Sequence, residues 1–508
     1  MQKGRVAASG KNLRFALAGQ LATVIFNFVL RRASIGVLGA EYTGFSSLCA
    51  HVLNFLSLIE PGFDAACIYC LYKPLAYGDR ELVGSLMAYI KKVYRITGAV
   101  TFLTGIAALP VVFHLSSDDI ERGYGALIYI LLLFEMSSAY FFTHRSILPI
   151  ADQKNYTVML FGYISFAASG LLRVIILGET GSYLFYTLSG LVCSVGGEML
   201  LYRRIGKMYP YIKKKAKKLP DTVRREARSK AVSLLFRKAG GVVCGSADNM
   251  AIFAFLGLGA GTVYSNYTML SGICMTFVSV IIGSAGASVG NLGATNGKKR
   301  MHGIYSTTFF AIFMISSFFA LSLFFTYPLI IELWLGKEMV LDTVTTALFC
   351  ANIMVSGMRR PCLMFIDSMG LFDIDKYRSL IEAAITVVLT VILTPKVGIK
   401  GVIIAQICAV ILFSLPREVR ILFRHGFGES ATSFIRELPG CIFAVALSFI
   451  LCAALCGCTV GRIDGIMLIL IRMALCAFSV ISVFFILFFD SDRLSGAVRY
   501  GKRMVKER

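Results

Sequence analysis

Charge is what this chain has least of. Only 16% of its 508 residues are Asp, Glu, Lys or Arg, against about 25% in a soluble domain. Hydrophobic residues make up 57% and the mean hydropathy is +0.74, so a soluble globule is excluded. No GxxxxGK[ST] loop is present, which argues against ATP hydrolysis within the chain. The glycines of GLGAGTV at 257–263 sit at a helix-connecting turn rather than after a strand. There is no HExxH, no Ser/His/Asp grouping and no long loop outside the membrane to carry catalytic groups. The chain therefore reads as a non-enzyme without cofactor or metal. Histidine is also scarce, and none lies near the cysteines at 67 and 70 or those at 452, 456 and 458. Cys67-Ile-Tyr-Cys70 and the group Cys452, Cys456, Cys458 then read as small buried hydrophobes, not zinc or redox sites.

Acid is rarer than base: 29 Asp and Glu against 51 Lys and Arg, a net charge of +22. In a soluble protein this would suggest nucleic acid. Without a soluble domain to present it, the excess reads as loops lying on an anionic inner leaflet, with membrane lipids and not nucleic acid as neighbours. No small-residue cleavage site follows the basic start MQKGRVAASGKNLRF, so the first helix is expected to be retained with its N-terminus in the cytoplasm.

What is present is long apolar runs. A crossing helix needs about 20 such residues, which gives about 14 spans. Six are expected at 13–32, 44–70, 92–113, 123–148, 156–177 and 182–202, and six more at 232–256, 262–290, 304–327, 342–366, 377–395 and 399–423. Two follow at 438–458 and 464–489. The loops alternate in charge. Lys91, Lys92 and Arg95, Lys154, Lys298 to Arg300, and Arg417 to Arg436 mark one side, and SSDDIERG, GETGS and GKEMVLD the other. The most basic stretch, from Arg203 to Lys238, marks the cytoplasm and leaves both termini there. The expected class is an all-α polytopic membrane protein, two pseudo-symmetric six-helix bundles plus two C-terminal helices. Its parts are a first half at 1–205, a basic linker at 206–230, a second half at 231–425, and two further helices with a basic tail at 426–508.

The halves repeat. LGAEYTGFSSL at 38–48 recurs as LGLGAGTVYSNYTML at 256–270, and PIADQKNY at 149–156 parallels FIDSMGLFDIDKY at 365–377, each about 220 residues on. Six helices per half make the repeat parallel, and such halves rock to give alternating access to a site between them.

The residues 31–79, RRASIGVLGAEYTGFSSLCAHVLNFLSLIEPGFDAACIYCLYKPLAYGD, and the stretch 246–270 followed by SVGNL resemble the two half-openings of Wzx-type polysaccharide flippases. These are O-antigen or teichuronic-acid-like exporters of the multidrug/oligosaccharidyl-lipid/polysaccharide superfamily. The resemblance implies flipping of an undecaprenyl-diphosphate-linked oligosaccharide to the outer leaflet of a bacterial cytoplasmic membrane, for envelope polysaccharide. It implies a cationic central cavity, with polymerase and glycosyltransferases as partners. Lipid II or sporulation-type flippases, a drug/cation antiporter and a non-transporting scaffold for wall-synthesis enzymes are the alternatives. The last two spans either form a lipid-tail groove or brace the second half.

Charges inside spans are costly, about 2.5–3.5 kcal/mol each, so each needs a partner, a wet cavity or an interface. Arg31, Arg32, Arg359 and Arg360, with Arg145 beside His144, are the candidates to bind a diphosphate, whose oxygens match guanidinium forks. Snorkelling is the alternative for Arg31, Arg32, Arg145 and Arg173, and an interhelical ion pair for Arg359 and Arg360. Asp248, Glu60 and Asp64 are the candidates for coupling to a proton or sodium gradient, the last two sharing a helix face across Pro61. Neutralisation by a neighbouring Arg is the alternative for Asp248.

Overall fold

The computed structural model describes residues 2–59, 63–116, 120–213, 219, 221–295, 298–371, 374–375, 377–459 and 465–489. Sixteen α-helices follow one another among them, and no strand occurs. In chain order they are α1 (Gln2–Leu56), α2 (Phe63–Tyr77), α3 (Arg80–Ala107), α4 (Leu109–Leu115), α5 (Arg122–Thr143), α6 (Ile147–Ala151), α7 (Asn155–Thr180) and α8 (Tyr183–Met208). Then come α9 (Asp221–Thr295), α10 (Lys298–Leu335), α11 (Thr343–Ser368), α12 (Arg378–Val397), α13 (Ile399–Cys408), α14 (Leu415–Ile421), α15 (Thr432–Gly457) and α16 (Gly465–Leu487).

Ten helical stretches are long and apolar enough to cross a membrane among the described residues, and the bent pair α3–α4 makes an eleventh. Two of the ten hold two expected spans each, joined at the kinks of α1 and α9. α11 is 26 residues long and is held below the apolar threshold by Arg359 and Arg360 at its centre. With these the expected count of about 14 is reached, and the chain is a multi-pass membrane protein.

The kinks give the repeat a physical form. Gly39 has φ 85°, ψ 173° and Gly257 has φ 80°, ψ 177°, a region open essentially to glycine alone. Both belong to the LG that opens the repeated segment. The two connections expected as turns are sharp kinks of non-helical backbone, at each of which one helix ends and the next begins. Other boundaries move for local reasons. The expected span 44–70 breaks at a 3-10 turn, Ser57–Ile59. The expected span 123–148 ends at Thr143, where His144 to Ser146 turn the chain.

The chain forms two compact units, 1–262 and 263–508. In the first, Phe45, Leu48, Val52, Ile128, Leu133 and Phe253 make one buried cluster. Leu71, Leu86, Ile90, Tyr94, Tyr140 and Ile205 make another. Lipid tails are as apolar as Leu, so close backbone approach supplies much of the helix packing. At Gly98 a Cβ would press on Tyr140 and the Ser137 carbonyl, and at Gly197 it would overlap Ser165. In the second unit an aromatic core runs through Tyr305, Phe309, Phe365, Phe423 and Phe427. α15 and α16 join it against α10, through Phe434 on Phe309 at 5.2 Å and Phe488 on Phe310 at 4.9 Å.

Candidate functional site

In the first unit, Arg31 is half-buried and donates to Ser47 Oγ at 3.2 Å and to the Thr262 carbonyl at 3.2 Å. Thr262 Oγ1 in turn donates to the Ala40 carbonyl at 2.6 Å. Arg31 thus ties the α1 hinge region to the segment that follows the α9 hinge. Arg32 is exposed. Asp248 is 3% exposed, on the part of α9 where Asn54 donates to Ser246 at 3.2 Å. Asp64 accepts the Tyr94 hydroxyl. Glu60 lies outside the described residues. Arg145 lies flat on Tyr202, its guanidinium carbon 3.5 Å from the ring centre, and donates to the Tyr202 carbonyl at 3.1 Å.

A cavity of about 390 Å³ opens among α1, α5, α7 and α8. Its polar lining is Glu135, Arg173, Glu198 and the serines 165, 169 and 194. Arg173 lies 3.8 Å from Glu135 and 5.1 Å from the Tyr186 ring centre. Gly190 leaves room for it, since a Cβ there would overlap the guanidinium. One cation thus faces two carboxylates, and Glu198 Oε2 is buried without a hydrogen-bond partner among the described residues. Sequence reasoning missed both glutamates. The signal was there, as each is an acid inside an apolar run.

The second unit treats charge differently. Arg359 grips Glu382 with both terminal nitrogens, at 2.6 and 2.5 Å, and Glu418 with Nε at 2.7 Å. Arg378 bridges Asp375 at 2.5 Å, Glu382 at 2.7 Å and Glu418 at 2.9 Å. Arg417 reaches Asp375 at 3.3 Å. Three arginines face three carboxylates, so the network is balanced, and Glu418 at its centre is wholly buried. Such a network needs helices aimed with care. Two six-residue π-helical segments, Ala409–Ser414 and Leu422–Phe427, bracket α14 and set the phase at which Glu418 points. Arg359 therefore has the interhelical ion-pair arrangement. Arg360, next in sequence, is half-buried, and no carboxylate pairs with it among the described residues. The network's other members were not foreseen. Arg378 and Glu382, one turn apart on one helix face, were the available sign.

No protein-family model and no curated protein matches this sequence. Solved structures do. One titled lipid II flippase MurJ, in an inward closed conformation, superposes with a TM-score of 0.67 at 13% identity, over 94% of this chain and 99% of its own. An inward-facing multidrug resistance MATE transporter of the MOP superfamily gives 0.64 at 12% identity, over 78% of this chain and 94% of its own. A MOP superfamily transporter from Pyrococcus furiosus, whose title speaks of a binding pocket of reverse polarity, gives 0.56 at 13% identity, over 82% of this chain and 96% of its own. The fold is that of these transporters.

Proposed function

We propose that the chain moves a lipid-linked, diphosphate-bearing glycan across a bacterial cytoplasmic membrane by alternating access, with both termini in the cytoplasm. The observation that carries this reading is the extent of the likeness. The flippase structure covers 94% of this chain, the multidrug transporter 78%. The difference is about the size of residues 426–508, which hold α15 and α16. A match that takes in the helices beyond the repeat would account for that difference. The buried cations add support. Arg31, half-buried at the hinges, and Arg360, outside the balanced network, suit an anionic headgroup and disfavour a cationic drug. The motifs at 31–79 and 246–270 favour an oligosaccharide cargo, as in Wzx-type exporters, with polymerase and glycosyltransferases acting on the same lipid. The full-length likeness to a lipid II flippase favours a peptidoglycan precursor as the second reading. In either case Asp248, buried in α9, is the proposed coupling carboxylate for a proton or sodium.

The test is the leaflet position of the lipid-linked glycan in a strain lacking the protein and any redundant flippase, read by an external lectin or glycosidase. Build-up in the inner leaflet, relieved by the wild type and not by Arg360→Ala at equal membrane abundance, is expected. Normal outer exposure in the deletion strain would overturn the reading.

A further inference from the structure

One buried histidine of the first unit sits where the stretch of α3 that carries Lys91 and Arg95 packs on the end of α5, with Tyr94 standing 6.2 Å from Tyr140. His144 caps α5 and is 2% exposed. Its ring stands 6.4 Å from Tyr94 of α3 and 5.8 Å from Tyr202 of α8. Lys91 and Arg95, one turn apart, flank Tyr94 on the same helix. Arg145 follows His144 and is clamped by its stack on Tyr202 and its bond to the Tyr202 carbonyl. No carboxylate pairs with Lys91, Arg95 or Arg145 among the described residues. Asp64 accepts the Tyr94 hydroxyl. Burial first, then the charges of Arg145, Lys91 and Arg95, push the His144 imidazole down to about 4, so it stays neutral at physiological pH.

Helix-end electrostatics do not account for the cluster. The α5 C-terminus supplies about half a negative charge, against three full positive ones. Solvation alone does not account for Arg145, which is held in one orientation, while Arg203 and Arg204, next along from Tyr202, are exposed. This end of the unit is the basic one, marked also by Lys154 and Lys207. Charge balance there calls for an anion, and the tyrosines give it an amphipathic wall.

We propose that Lys91 and Arg95, midway along α3, and Arg145, just past the end of α5, form a binding site for the phosphate or diphosphate headgroup of an anionic lipid in the adjoining leaflet. The site is distinct from Arg31 and Arg360, and the assignment stands whether or not the protein is a flippase. The groups that specify it lie on three helices, so sequence spacing does not reveal it.

The experiment measures binding to the purified full-length protein in neutral detergent, with three probes: short-chain phosphatidylglycerol, a short-chain polyprenyl diphosphate and inorganic diphosphate. Binding of at least one lipid probe is expected, weakened roughly tenfold for each cation removed, in Arg95→Gln and in Arg145→Gln. Arg95 is exposed, so its replacement leaves the fold intact and keeps the test open if Arg145→Gln unfolds. Arg145→Lys, which keeps charge and loses the planar stack, is expected to fall between. Lipid binding unchanged in Arg95→Gln and in a folded Arg145→Gln would overturn the site. Binding of inorganic diphosphate with no lipid probe bound would overturn its assignment to a lipid. Loss of binding in these variants with normal glycan flipping would leave the headgroup site standing and separate it from transport.

Discussion

The two units bury charge in opposite ways. In unit 1, Arg173 shares a cavity of about 390 Å³ with two carboxylates, and its nearer contact, with Glu135, is loose at 3.8 Å. In unit 2, Arg359, Arg378 and Arg417 meet Asp375, Glu382 and Glu418 in a closed set with contacts from 2.5 to 3.3 Å. A closed, balanced network holds helices in one arrangement, because opening it strands charges in a poor solvent. An unbalanced set around a cavity has no such lock. The adjacent pair Arg359 and Arg360 shows the same contrast over one residue. One side chain is consumed by the network, and the other is left over.

The largest effect is expected from breaking the closed set. Arg359→Ala leaves Glu382 and Glu418 to share Arg378 alone, one buried cation short, and should destabilise the protein by about 3–5 kcal/mol, seen as a lower unfolding temperature in detergent. Arg360→Ala should leave that temperature nearly unchanged and abolish transport. Equal destabilisation by the two would erase the distinction between them. Arg173→Ala leaves Glu135 and Glu198 facing each other, and is expected to cost about 1–3 kcal/mol, less than Arg359→Ala. Glu198→Gln, which removes the excess acid, should be neutral or stabilising on the same assay.

The hinges offer a sharper comparison, because they are alike where the charges differ. Gly39→Ala and Gly257→Ala each force a side chain into a glycine-only region at about 1–3 kcal/mol, though neither Cβ meets a neighbour. Similar losses at both would mark strain as the common cause, since an added Cβ meets nothing at either place. The smallest effect concerns Asp342, the N-cap of α11. Its bond with Thr345, above all, and then Lys400 at 3.1 Å hold its pKa below the ordinary 3.8. A depressed carboxylate pKa means stability present above pH 4 and lost as pH falls through the folded value. For so exposed a group this amounts to a few tenths of a kcal/mol. Asp342→Asn should flatten that part of the acid unfolding curve and leave neutral-pH stability almost untouched.

Much of the fold was legible in the chain because a bilayer imposes a one-dimensional rule. Each span must be apolar over about 20 residues, so runs such as 156–177 and 182–202 stand out as α7 and α8. The LG at 38–39 and 256–257 disclosed the repeat, but not that a single glycine at each place makes the whole kink between two helices. Phase within a helix was also hidden. Nothing in AVILFSLPREV announces a π-helical segment ahead of Glu418, yet that segment helps decide which way the carboxylate points. The candidate arginines were readable as charges where lipid tolerates few, whereas their partners were not. Glu382 and Glu418 lie 23 and 59 residues from Arg359.

The sequence by itself determined that the chain lives in a membrane, how many times it crosses, that its halves repeat and which residues carry charge into the apolar zone. These follow from composition along one strand of chain, because transfer from water to lipid is nearly additive in residues. Only the tertiary structure decided which charges cancel and which remain. Arg359 is neutralised and Arg360 is not, because a charge interaction depends on distance in space. Helices far apart in sequence set those distances.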